Sequence, residues 1–303
     1  MTATPHPPAP DVDAATEVFV AHRNLLFTVA YEMLGSATDA EDVLQETWLK
    51  WTGVELARVR DRRAYLVRIT TRQALTRMRS LGRRKETYVG AWLPEPLATA
   101  ADVADDVELA ESVSMAMLLV LETLSPTERA VFVLRDVFAV EYEEIAAAVG
   151  KNAAAVRQIA HRARGHVAAR RPRGPASPNE ARRALDAFRR AVDTGDLQGL
   201  LDILAPDVVL IGDGGGLAQA VPNPIVGSDR VGRVLAAGAW HVPEIGTLAP
   251  ASVNGHPALV LWRGDEVDTV VAVRIDDGLV SGLYGVRNPE KLSRVTRETV
   301  LSL

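Results

Sequence analysis

The sequence contains no cysteine, which removes disulfides, thiolate zinc ligation and thiol redox switching together. Any signal this chain senses is sensed another way. Long apolar runs are missing too: the longest, Met115–Leu121, is far too short to cross a bilayer, so no membrane association is expected. The opening MTATPHPPAP has neither the basic leader nor the apolar core of a secretion signal, and reads as a disordered tail over residues 1–13 of a cytoplasmic protein. Six histidines, with His161 and His166 five apart, give no metal-ligand spacing, so neither a metal nor a cofactor is expected. The single glycine run, Asp213-Gly214-Gly215-Gly216, has no P-loop lysine or dinucleotide-binding spacing around it.

What is present is a segregated charge pattern. The 303 residues, 48% of them apolar, suit a globular protein of two or three domains. A net charge of −5 conceals the distribution. Residues 55–86 hold eleven Lys/Arg against three acids, residues 87–146 two against twelve, and residues 147–173 seven against none. Two basic blocks flanking an acidic one point to two nucleic-acid contacts on a protein that does not coat DNA indiscriminately.

The second basic block has the pattern of a helix-turn-helix. Tyr142, Ile145, Ala146 and Val149 share one face of a first helix, Gly150 suits a left-handed helix end, and Asn152 suits the N-cap of a second. That second helix buries Val156, Ile159, Ala160 and Ala163. Arg157, Gln158, His161, Arg162 and Arg164 are left facing outward, with Lys151 and Asn152 at the helix start, a DNA-facing set in which Arg157 and Gln158 can reach base edges in a major groove. Upstream, Ser125, Pro126 and Glu128 make a capping box with proline at the first helical position.

The first basic block follows two amphipathic helices. Phe19, Leu25, Leu26, Val29 and Ala30 mark one that stops near Gly35. Thr38 with Glu41 reads as a capping box for the next, whose stripe is Val43, Leu44, Trp48 and Trp51 and whose early turns are acidic. A third helix from about Asp61 buries Tyr65, Leu66, Ile69, Leu75 and Met78 and surrounds them with Arg62, Arg63, Arg68, Arg72, Arg77 and Arg79. Arginine pairs with phosphate and stacks on unpaired bases, so this helix suits melted as well as duplex DNA.

DAEDVLQETWLKW at Asp39–Trp51 with the arginine-rich helix resembles region 2 of bacterial sigma factors of the extracytoplasmic-function group. LSPTERAVFVLRDVF at Leu124–Phe138 with the helix-turn-helix resembles their region 4. The resemblance covers about residues 14–172. It implies docking of Asp39, Asp42, Val43, Gln45, Glu46 and Trp48 on core RNA polymerase. It also implies opening and reading of the promoter −10 element by the basic helix bearing Arg62, Arg63, Arg68, Arg72 and Arg79, and reading of the −35 element by the second basic helix.

The expected domains are region 2 over 14–81, a linker over 82–114, region 4 over 115–172, a Pro-rich hinge over 173–178 and a further domain over 179–303. Pro94 and Pro96 forbid a regular helix in the linker, and Tyr88, Val89, Trp92, Leu93 and Leu97 make it apolar enough to be held against something. The further domain starts with helices at Ala181–Val192 and Leu197–Leu204. Strands follow at Val208–Ile211, in ASVNGHPALVLW, DTVVAVRID and LVSGLYGV, with hairpin turns at Asn254-Gly255 and Asp277-Gly278. The fold class is therefore two all-α domains followed by an α+β domain with a curved antiparallel sheet.

That order resembles the NTF2-like, SnoaL-like cone fold. WLPEP at Trp92, Leu93, Pro94, Glu95 and Pro96, the glycine run from Asp213, and NPEKL beginning at Asn288 and Pro289 resemble the SigJ-type sigma factors, with Leu217 where that group carries a basic residue. The resemblance implies regulation in cis through these residues, with no separate anti-sigma protein required. A small ligand in the C-terminal domain stays open. The acid/base candidates Asp207, Asp213, His241, Asp265 and Asp268 do not converge in the sequence, so catalysis is not expected. An enzyme or ligand-sensing module fused to a conventional DNA-binding regulator is the rival reading. The polymerase-docking helix is what argues against it.

Overall fold

The first helix, α1 (Val12–Leu34), buries the five residues its periodicity marks, and Gly35 ends it with φ +66°. The computed structural model describes residues 12–100, 107–170, 177–239 and 246–303. Residues 1–11 of the expected tail, the hinge before Ser177, and His241 lie outside the described residues. Helix α2 (Ala37–Trp51) is capped by Ser36, whose Oγ accepts from Asp39 N at 3.1 Å. The expected Thr38 capping box does not form, because the helix begins before Thr38 and Glu41 turns away to Arg23 at 2.7 Å. Helix α3 (Arg62–Glu86) buries Leu66 and Leu75, with Tyr65, Ile69 and Met78 half-buried, and completes a three-helix unit.

A second helical unit contains α4 (Val107–Val113), α5 (Met115–Glu122), α6 (Pro126–Phe132) with a π-helical turn at Val133–Val137, α7 (Tyr142–Val149) and α8 (Ala153–Ala168). The local signals hold here. Ser125 and Glu128 close their capping box, Gly150 is left-handed at φ +69°, and Asn152 Oδ1 accepts from Ala155 N at 2.8 Å. The two units share one continuous apolar core: Leu26, Leu66 and Ala74 of the first belong to the same cluster as Leu118, Leu134 and Val156 of the second.

Helices α9 (Pro178–Thr194), α10 (Leu197–Ile203) and α11 (Ser228–Val234) accompany a six-stranded sheet. Its strands are β1 (Leu204–Asp213), β2 (Ile225–Val226), β3 (Thr247–Val253), β4 (His256–Arg263), β5 (Glu266–Asp276) and β6 (Leu279–Val286), in the order β2-β1-β6-β5-β4-β3. The α+β expectation holds, but the sheet is mixed rather than antiparallel. β1 runs parallel to β6, with Leu210 opposite Leu283, which the long excursion through β2, α11 and β3–β5 makes possible. Asn254 and Asp277 take positive φ at the β3–β4 and β5–β6 turns, as such hairpins require.

Both faces of this sheet are buried. Leu259, Leu261, Val271, Val273 and Leu283 point to one side, where Phe188, Leu200 and Val231 fill the cone. The alternate residues Ala258, Val260, Val270, Ala272 and Tyr284 point to the other, against Leu93 of the linker and Met115 and Ala116 of α5. The helical units are thus the second layer over the sheet.

Candidate functional site

The linker meets all three domains. From Leu93 to Leu97 it is extended and buried. Prolines occupy alternate positions, so the donors that remain, on Leu93, Glu95 and Leu97, all find partners: Asp213 Oδ2 at 2.8 Å, Gly35 O at 2.9 Å and Asn254 Oδ1 at 3.0 Å. Thr99 N then donates to Ser252 O at 3.1 Å, and Ala98 bridges Val253, so the linker covers the exposed edge of β3. Glu95 does more. Its carboxylate accepts from Ser36 Oγ at 2.7 Å, Ala37 N at 2.8 Å and Thr38 N at 3.1 Å, which places a negative charge on the N-terminus of α2.

Beside it runs a chain of alternating charges. Asp213 is fully buried and receives Lys291 Nζ at 2.7 Å and Tyr88 OH at 2.6 Å. Lys291 Nζ also donates to Leu93 O at 2.6 Å. Two ammonium groups lie over the Trp92 ring, Lys85 at 3.4 Å and Lys291 at 4.4 Å from its centroid. Lys85 reaches Glu122 of α5, and Glu122 reaches Arg129 of α6. Burial depresses the Lys85 and Lys291 ammonium groups. Burial alone would raise the Glu122 carboxyl, but Arg129 and Lys85 together hold it below the ordinary range.

The glycine run packs against this cluster. Gly215 (φ +60°) faces Asn288 and Tyr88, Gly216 (φ +74°) faces Val89, and Arg287 N and Asn288 N both donate to Asp213 O. The missing side chains of Gly215 and Gly216 allow close packing against Tyr88 and Val89. Asn288 Nδ2 donates to Tyr88 OH at 2.8 Å, and exposed Pro289 starts the 3-10 turn carrying Lys291.

Asn254 was legible only as a turn residue, yet it joins the three domains. Fully buried, its Nδ2 donates to Tyr31 OH of α1 at 2.7 Å and to Val113 O at the end of α4 at 2.8 Å, while its N and Oδ1 pair with Leu97. Tyr31 OH in turn donates to Glu95 O at 2.6 Å. A polar residue in a hairpin turn reads as solvated, so the sequence gives no sign of this role.

Glu32 makes a pH-dependent contact between the helical units. Ser112 donates to it at 2.8 Å, its backbone oxygen accepts Arg129 Nε at 2.8 Å, and burial raises its carboxyl from 4.5 to about 8. The folded chain keeps this proton up to about pH 8, whereas the unfolded chain loses it near 4.5. Stability is therefore expected to fall as pH rises through that window, by at most about 1.4 kcal/mol per pH unit. Glu32→Gln, measured by denaturant unfolding at several pH values, is expected to flatten the slope; an unchanged slope would place the titration elsewhere.

The basic surfaces are partly engaged. On α8, Gln158 and His161 are exposed at the outer face, with Lys151 and Asn152 at its start. Arg157, Arg162 and Arg164 are exposed but pair with Glu143, Glu128 and Asp136 at 2.8, 3.8 and 2.6 Å, weak contacts that phosphate can replace. On α3, Arg62, Arg63 and Arg79 are exposed and Arg68 lies over Tyr65. Arg72 is occupied: its Nη2 donates to Ala147 O at 2.7 Å, tying α3 to the end of α7.

The α2 residues divide between two directions. Asp39 and Asp42 face α3 and pair with Arg77, Glu46 accepts from Gln73 at 2.5 Å, and Val43 is core. Val43 is thus buried and presents no surface to a partner. Gln45 and Trp48 open outward and, with Phe19, Arg23, Glu41, Asp42 and Leu44, line a groove of about 360 Å³.

Residues 18–84 match the family model for Sigma-70 region 2 and residues 114–167 that for Sigma-70 region 4. The chain is 35% identical to ECF RNA polymerase sigma factor SigJ of Mycobacterium tuberculosis, across 91% of this chain and 92% of that protein. The chain belongs to the extracytoplasmic-function (ECF) RNA polymerase sigma factors. A probable ECF sigma factor SigI of the same species is 31% identical across 94% of this chain and 97% of its own length. The crystal structure of M. tuberculosis SigJ superposes with a TM-score of 0.75 at 33% identity, covering 92% of this chain and 98% of that one.

A sigma factor is a transcription initiation factor rather than an enzyme. In this sigma factor Asp213 faces the linker, Asp268 pairs with Arg287 and Arg263, and Asp207 and Asp265 are exposed on the surface. Among the described residues no helix is long and apolar enough to cross a membrane, and no group of His, Asp and Glu could hold a metal.

Proposed function

We propose that this sigma factor directs initiation by binding core RNA polymerase through α2 and promoter DNA through α3 and α8, and that its C-terminal domain regulates this in cis by holding the two sigma regions closed. The docking contribution of α2 comes from Gln45 and Trp48 directly, and from Asp39, Asp42 and Glu46 after they leave their α3 partners. Arg62, Arg63, Arg68 and Arg79 face the −10 element; Arg157, Gln158 and His161 face the −35 element, with Lys151, Asn152, Arg162 and Arg164 on adjoining phosphates. The observation that carries the regulatory reading is the linker from Leu93 to Leu97: one buried strand is bonded at once to α1–α2 and to Asp213, Asn254 and Lys291 of the C-terminal domain. Arg72, shut against α7, becomes available to DNA when that arrangement opens. The reading assigns a regulator in cis and does not exclude a second one in trans.

Run-off transcription with core polymerase and a cognate promoter tests it. The full chain is expected to support promoter-specific transcripts. Arg157→Ala with Gln158→Ala is expected to lower them by roughly tenfold or more, in keeping with about 1–3 kcal/mol per base contact. Absence of any transcript together with absence of any association with core polymerase would refute the polymerase-binding assignment.

A further inference from the structure

Beyond the linker, a second segment crosses from the sheet to region 2. Leu292 and Val295 are buried with the outer face of the sheet, and Thr299 N then donates to Ala98 O of the linker at 2.8 Å. Leu301 enters the core of the helical units, and Ser302 N donates to Thr28 Oγ1 of α1 at 3.1 Å. Between these anchors Arg294 reaches over to α2 and pairs with Glu41 at 3.2 Å.

Glu41 is the significant partner. With Gln45 and Trp48 it forms one stripe of α2, at i, i+4 and i+7, which is the outward side of the α1/α2 groove. Asp39, Asp42 and Glu46 are tied to α3. The acidic end of the accessible stripe is therefore held by two cations, Arg23 of α1 at 2.7 Å and Arg294 at 3.2 Å, the second supplied by a segment with an apolar anchor in the core beneath. A basic helix of a partner seeking Glu41 at this acidic, tryptophan-bearing stripe would meet Arg294 there as a like charge.

We propose that residues 292–302 form a strap that competes with core RNA polymerase for the α1/α2 surface of region 2, so that polymerase gains that surface only when the strap lifts. This rests on the reading that α2 docks polymerase. It adds a target and a mechanism to regulation in cis: the strap acts on polymerase access, whereas the linker acts on the arrangement of the two sigma regions. A partner that binds only the lifted form has its apparent affinity reduced by the fraction lifted, and weakening the strap restores it.

The absence of cysteine allows a direct test in the full chain. In a Thr28→Cys, Ser302→Cys variant the two thiols sit on residues already in contact, Ser302 N lying 3.1 Å from Thr28 Oγ1, and oxidation, with disulfide formation checked by mass spectrometry, fastens the strap. The oxidised protein is expected to bind immobilised core polymerase at least tenfold more weakly than the same protein after reduction. Arg294→Glu, which leaves the apolar anchor intact, is expected to bind several-fold more tightly than wild type, and Arg294→Glu with Leu301→Ala more tightly still, with thermal melting confirming that both remain folded. If wild type binds core and neither fastening nor weakening the strap alters affinity, the strap is wrong and the docking surface stands. If no form binds core, the docking assignment fails and the strap proposal with it.

Discussion

Asn254→Asp is expected to destabilise the closed arrangement by roughly 3–5 kcal/mol, the range for a buried charge without a partner. The carboxylate still accepts from Leu97 N but can no longer donate to Tyr31 OH or Val113 O, and Tyr31 has already committed its proton to Glu95 O. The change puts oxygen against oxygen on two sides. Thermal unfolding is expected to show a lower or divided transition, and hydrogen exchange at the Leu97 amide to accelerate. Asn254→Gly accommodates the positive φ and introduces no charge, so it should cost distinctly less. Equal effects of the two would mean that Asn254 serves the turn alone. Under the regulatory reading the aspartate variant also raises transcription at limiting core polymerase.

Asp213→Asn is expected to be comparably severe, again about 3–5 kcal/mol, because it leaves Lys291 8% exposed with no counterion. Asp213→Leu with Lys291→Met should recover only part of the loss, since the apolar pair removes both charges but leaves the Leu93 N–H and the Tyr88 hydroxyl without their acceptor. The pH dependence discriminates further. The Lys291 ammonium is already depressed by burial and falls further without Asp213. The folded form then binds fewer protons than the unfolded one, so the deficit of Asp213→Asn shrinks as pH rises. Additive single and double variants in denaturant unfolding, or a pH-independent deficit, would show the pair to be energetically uncoupled.

How much of this was legible follows from how local each signal is. The Ser125–Glu128 capping box, the Gly150 turn and the Asn152 cap involve residues three apart, and all formed as read. The cap of α2 did not, because half of it is Glu95, some sixty residues downstream in sequence. Asp39 and Asp42 read as a free acidic patch until α3 brought Arg77 against them. The parallel β1–β6 pair likewise depends on long-range topology that periodicity does not encode. One signal was available and unread: Val270–Val273 and Ala258–Leu261 lack polar alternation, so the sheet needed cover on both faces. That requirement alone would have brought the helical units onto the sheet.

The alternation of prolines in the linker limits how its length can vary. Its donors at Leu93, Glu95 and Leu97 are two residues apart, with imino positions between them. Inserting or deleting one residue between Trp92 and Pro96 would bring a proline opposite Asp213, Gly35 or Asn254 and strand that acceptor without a hydrogen. Functional variants of this stretch should therefore differ in length by even numbers, if they differ at all.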